Sequence, residues 1–222
     1  MNLLQQDAPI ALALAGWLAL APVLALALRS LRQGFLPSGL LEHAWLGGAV
    51  AIAMLWTLQI KAGGAPAFGM LGAGLYALVF GCSRGLIGLV MALLLHTALY
   101  QGSWLNLGLN AVLLAVLPAA AATGLRQQVE RRLPHDPFVF MIGNGMFSTL
   151  GATVLARMAI VGACLIAEPF HAGFSLGEYV GATLLLAWSE AIVSGMVLSA
   201  LVVFLPQVVL TFRADLYAPK RL

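Results

Sequence analysis

The chain has 222 residues, 62% of them hydrophobic, and only 19 charged: eleven Lys or Arg and eight Asp or Glu. That 9% charge, against the roughly 25% of soluble domains, is too little to cover a soluble fold of this size, which excludes a soluble enzyme, a disordered tail and a nucleic-acid binder. The formal charge of +3 does not point to nucleic acid either, because the basic residues fall at the ends of apolar runs.

Apolar runs of about 20 residues read as transmembrane helices. Seven segments are expected, at roughly 9–28, 40–60, 67–82, 85–101, 104–124, 138–167 and 178–212. A backbone in lipid must make its hydrogen bonds within its own segment, so the segments are helical. The alternating ~10-residue pattern of a membrane barrel is not visible. The expectation is an all-α, polytopic membrane helix bundle, one integral membrane domain over 1–222.

Segment one lacks a basic leader and is too long for a signal peptide. It carries Ala11, Ala15 and Ala19 at four-residue spacing, with Ala21 and Ala25 in a second ladder. Such ladders let helix backbones approach closely. They serve either as a docking face for a partner subunit or as packing inside the bundle. Segments three and four are short, and Gly72 and Gly74 suit close packing there. Between segments five and six, Arg126 to Pro137 reads RQQVERRLPHDP, the longest expected cytoplasmic loop. Segment six holds Gly143, Gly145 and Gly151, again packing residues.

Nine basic residues follow segments one, three, five and seven: Arg29, Arg32, Arg84, Arg126, Arg131, Arg132, Arg213, Lys220 and Arg221. Lys61 alone falls on the other side. Cytoplasmic loops collect Lys and Arg, so the N-terminus is expected outside and the C-terminus in the cytoplasm. Cys82 and Cys164 both lie in apolar runs, which speaks against a disulfide framework.

Ionisable residues inside membrane spans are costly and are candidates for function. Glu190, within LLLAWSEAIVSGM, is the clearest; it bonds a partner or a substrate, or locks two helices. Arg157 is its candidate partner across the bundle, or else snorkels to an interface. His96 is the one histidine well inside an apolar run. Asn110 and Asn144 must find hydrogen bonds within the bundle. No HExxH zinc motif is present. Residues 173–177 read GFSLG, but the G-x-S-x-G motif needs a strand-turn-helix setting that this segment lacks. The chain has no G-x-x-x-x-G-K-[ST] phosphate loop.

Four stretches carry a resemblance over nearly the whole chain: AGWLALAPVLALALRSLR in segment one, GSWLNLGLNAVLLAVLP at 102–118, VERRLPHDPFVFMIGN at 129–144, and WSEAIVSGMVLSALVVFLPQVVLTFRADLY at 188–217. In these the chain resembles the CbiM/NikM-like permeases of energy-coupling-factor transporters, in their proteobacterial "predicted membrane protein" branch. The resemblance implies a multi-pass protein of the bacterial inner membrane. It also implies capture of Co²⁺ or Ni²⁺, with a second membrane subunit and cytoplasmic ATPases as partners. In that family the ligands are the N-terminal amine, a His at position two and a His at the start of a later span. Here the chain begins Met1-Asn2, and no His stands near Phe68 or Gly69.

The function expected is thus a substrate-capture or permease-like subunit rather than an enzyme. Its cavity would be lined from Met1, Asn2, His96, Asn110, Asn144 and Glu190. The alternative is a non-transporting accessory or structural subunit of a larger membrane complex that keeps the permease fold.

Overall fold

A computed structural model describes residues 8–31, 39–59, 69–100, 102–167, 176–213 and 217. Among them no strand occurs, and the all-α membrane bundle expected from composition is what forms. Seven helical segments follow one another. They are α1 (Ile10–Leu31), α2 (Gly39–Leu55), α3 (Ala73–Phe80), α4 (Cys82–Leu99), α5 (Leu107–Arg132), α6 (Pro137–Ile166) and α7 (Leu176–Phe204). Five of them are long and apolar enough to cross a membrane: α1, α4, α5, α6 and α7.

Helix α1 buries Ala13, Gly16, Leu20 and Ala27, a three- and four-residue rhythm that makes one face. The contact is tight: a Cβ on Gly16 would stand 2.4 Å from the backbone nitrogen of Leu109. Only glycine lets α1 and α5 meet this closely. Ala11, Ala15 and Ala19, together with Ala21 and Ala25, point away from the bundle. Among the described residues the alanine ladders therefore play no part in packing within the chain.

Segment three departs from the expected full span. Helix α3 has eight residues, about 12 Å at 1.5 Å per residue, far short of the ~30 Å hydrocarbon layer. It is a half-helix that turns back at Gly81 (φ 80°) into α4, and all but one of its residues are buried. Tyr76 ties it to α2 by donating to the Trp45 carbonyl at 2.6 Å.

The expected loop 126–137 is also corrected: α5 runs on to Arg132, leaving 133–136 as the connection. The run RQQVER is rich in good helix formers. Arg126 pairs with Glu130 four residues on at 2.6 Å, which supports the extra turns. Helix α5 contains a π-helical stretch, Val112–Val116, just before Pro118. Proline has no N–H to donate, and the widened turn absorbs the break. A second π stretch, Phe140–Ser148, lies in α6.

Helix α7 ends at Phe204, ahead of Pro206, rather than at 212. The residue before a proline is biased away from helix. The chain then passes beneath α3. Leu210 donates to the Val79 carbonyl at 2.7 Å, and the Thr211 hydroxyl donates to that of Leu78. These are end-of-helix carbonyls with no partner inside α3. Phe140, Phe212 and Tyr217 close this end of the bundle, with ring centroids 5.0–5.2 Å apart.

Candidate functional site

The half-helix needs partners at its other end too. Residues 69–72 run into the bundle without regular structure, and each unbonded backbone group there would cost several kcal/mol in lipid. Side chains supply the bonds. Glu190 on α7 accepts the Leu71 N–H at 2.9 Å on one oxygen and the Gly72 N–H at 2.7 Å on the other. Trp56, just after α2, donates to the Leu71 carbonyl at 2.8 Å. Arg157 on α6 donates to the Gly69 carbonyl. Gly72 has φ 63°, a left-handed conformation that glycine adopts without strain. It is what lets both amides face one carboxylate.

Glu190 and Arg157 thus converge on one four-residue segment, and both are fully buried. Arg157 does not snorkel. Its charge acts favourably on Glu190, which also takes a hydrogen bond from Thr153, and the Tyr179 phenol stands against the guanidinium. The carboxylate further sits at the N-terminal end of α3, where the helix dipole favours negative charge.

The centre lies within a longer polar face. On α6, Asn144, Ser148, Thr149, Thr153 and Arg157 are buried, and on α7 Tyr179, Thr183, Glu190 and Ser194 are buried. Spacings near four residues put each set on one helix face. The two helices approach closely lower down, where a Cβ on Gly145 would lie 3.1 Å from the Gly195 Cα.

The other expected residues lie around this centre rather than in it. His96 on α4 is buried and stacks on Tyr100 at 5.0 Å. Its ring bonds the Ala53 backbone, and Nδ1 has no hydrogen-bond partner. Asn144, inside the π stretch of α6, is fully buried with neither side-chain amide atom bonded. Asn110 is buried on α5, its Oδ1 also without a partner. Unbonded buried amides are rare in folded proteins, and π turns recur at functional sites. Met1, Asn2, Phe68 and Ser175 lie outside the described residues. Among the described residues, no group of three His, Cys, Asp or Glu side chains is placed to hold a metal ion.

Three contributors were not singled out in the sequence. Asn106 is fully buried, and its Oδ1 accepts the Ala8 N–H at 2.9 Å, pinning the start of the described chain to the turn before α5. Its spacing of four from Asn110 was a usable signal. Thr153 sits one helical turn before Arg157. Trp56 had no signal, since a tryptophan near a helix end reads as an interface residue.

A multi-pass bundle whose interior helix is broken and held by buried polar side chains is an architecture that membrane transport components use. A sequence model of the CbiM family, described as the cobalt uptake substrate-specific transmembrane region, matches residues 8–208; the chain belongs to that family. Solved structures share the fold. "Crystal Structure of an Truncated Transition metal Transporter" is 19% identical with a TM-score of 0.70, covering 91% of this chain and 98% of that one. "Crystal Structure of an transition metal transporter" is also 19% identical, TM-score 0.69, covering 90% and 92%. No curated protein sequence matches the chain.

Proposed function

We propose that this chain is the substrate-capture membrane subunit of an energy-coupling-factor transporter in a bacterial inner membrane. Its N-terminus faces outside and its C-terminus the cytoplasm. Its cargo is a divalent transition-metal ion, cobalt or nickel. ATP hydrolysis belongs to cytoplasmic partner subunits, and a second membrane subunit docks on α1. The observation that carries the reading is the family match over 8–208. The cargo is taken by Met1, Asn2 and His96. Neutral imidazole nitrogen suits cobalt and nickel, and the unbonded Nδ1 of His96 supports its part. Asn110 and Asn144, whose side-chain oxygens have no hydrogen-bond partner, offer further amide oxygens. Glu190 shapes the cavity by holding 69–72, with Arg157 as its charge partner.

Calorimetry on the purified full-length chain tests the cargo. Cobalt or nickel should bind at micromolar Kd or tighter, and His96→Ala should weaken it by about tenfold, a loss of roughly 1.4 kcal/mol. Absence of binding to the parent chain would sink the metal reading.

The partner surface has its own test. Ala11, Ala15 and Ala19 face away from the bundle, and small residues are what close helix contacts in membranes require. Ala15→Trp should abolish co-purification of an ATPase-bearing complex while leaving the chain's own melting point unchanged. Retained co-purification would exclude this face.

One observation favours a second reading, a non-transporting accessory subunit. Both Glu190 oxygens are engaged by backbone N–H groups, so the polar centre is complete without cargo. An unrelated complex in the same pull-down, with no metal bound, would select it.

A further inference from the structure

At the end of the bundle where α5 and α7 stop, a cavity of about 430 Å³ is lined by Arg126, Glu130, His135, Thr211, Arg213 and Tyr217. Among the described residues its charge is unbalanced. Their single carboxylate, Glu130, is taken by Arg126 at 2.6 Å and receives the Tyr217 hydroxyl at 3.5 Å. Burial, and then the Glu130 carboxylate, push the Tyr217 phenol up to about 12, so it adds no negative charge at neutral pH. The Thr211 hydroxyl is spent on the Leu78 carbonyl. Arg213 is exposed and makes no ion pair among the described residues. Among the described lining residues two guanidiniums face one carboxylate, and the remaining positive charge belongs to Arg213.

The turn 133–136 separates this cavity from a second, apolar one. A groove of about 210 Å³ is lined by Leu133, Phe138, Val139, Ile142, Gly143 and Phe147. Phe138 and Phe147 are 64% and 55% exposed, so in a membrane this face meets acyl chains. A cationic pocket at the end of a transmembrane bundle selects anionic headgroups, and arginine binds phosphate oxygens with paired N–H donors. A free anion would account for the pocket alone. A phospholipid accounts for both halves and for their adjacency across one short turn.

We propose that this end of the bundle is a binding site for an anionic phospholipid, its phosphate held by Arg213 beside the Arg126–Glu130 pair and an acyl chain in the 133–147 groove. Native mass spectrometry of the full-length chain, titrated with dioleoyl-phosphatidylglycerol, dioleoyl-phosphatidylcholine or inorganic phosphate, tests it. The phosphatidylglycerol adduct should form about tenfold more tightly than the phosphatidylcholine adduct. Arg213→Gln should remove that preference, and Phe138→Ser should weaken both lipids alike. Equal binding of the two lipids, or a preference unchanged in Arg213→Gln, would overturn the site. Displacement of the lipid by millimolar inorganic phosphate would overturn the lipid in favour of a free anion. Arg213 and Phe138 are both exposed, and a matching elution profile confirms that each variant is folded.

Discussion

Replacing Glu190 by Ala is expected to destabilise the chain substantially. The substitution leaves the Leu71 and Gly72 N–H groups buried and unbonded, at about 1–3 kcal/mol each. It also leaves Arg157 without its counter-charge. Unfolding can be followed by a thiol-reactive dye that reaches Cys164, which is buried, in a Cys82→Ser background that removes the exposed thiol. At the sensitivity of a chain this size, the melting point should fall by roughly 5–20 °C. Glu190→Gln should lose about half as much, because its amide oxygen still accepts one N–H while its NH₂ faces the other donor. The measurement is made with and without a metal chelator. A fall that is the same in both conditions assigns Glu190 to holding the 69–72 backbone. A melting point unaffected by either substitution would mean the carboxylate contributes nothing to the half-helix.

Much of this architecture could be read from the sequence, and the reasons differ by element. The number of helical segments followed from apolar run length, because hydrocarbon thickness sets the length a span must have. Segment three was misjudged for the same reason. The run 67–82 is apolar throughout, and hydropathy alone cannot show that residues 69–72 are non-helical. Broken helices are tolerated only where neighbours bond the freed backbone, and those neighbours, Trp56, Arg157 and Glu190, come from elements far apart in sequence. Glu190 and Arg157 were still recognisable as exceptional, since charge inside a span is costly wherever it occurs. What they bond was not recognisable, because backbone partners leave no trace in residue type. The alanine ladders of α1 show the converse case. Four-residue spacing defined a face but not its direction, which depends on where Gly16 meets Leu109.

Arg157→Met should cost about 3–5 kcal/mol, the range for removing one partner of a buried charge pair, and should abolish the bond to the Gly69 carbonyl. Its informative use is in a cycle with Glu190→Gln. The two residues hold different atoms of the same four-residue segment, and their charges act on one another. Once Glu190 is neutral, Arg157 has lost its counter-charge, and removing it relieves a cost as well as forfeiting a hydrogen bond. The double variant should therefore be more stable than the sum of the single losses predicts, by about 1–3 kcal/mol, within the coupling seen for contacting groups. Strict additivity would show that the two side chains brace the segment independently and that their charges do not communicate. Arg157→Lys separates charge from shape. A lysine restores the positive charge but not the planar fork of donors, so it should recover the coupling to Glu190 while leaving part of the Arg157→Met loss in place. Full recovery by lysine would reduce the role of Arg157 to a point charge. No recovery would make the guanidinium geometry, which reaches Gly69 and the Tyr179 phenol together, the feature that this fold requires.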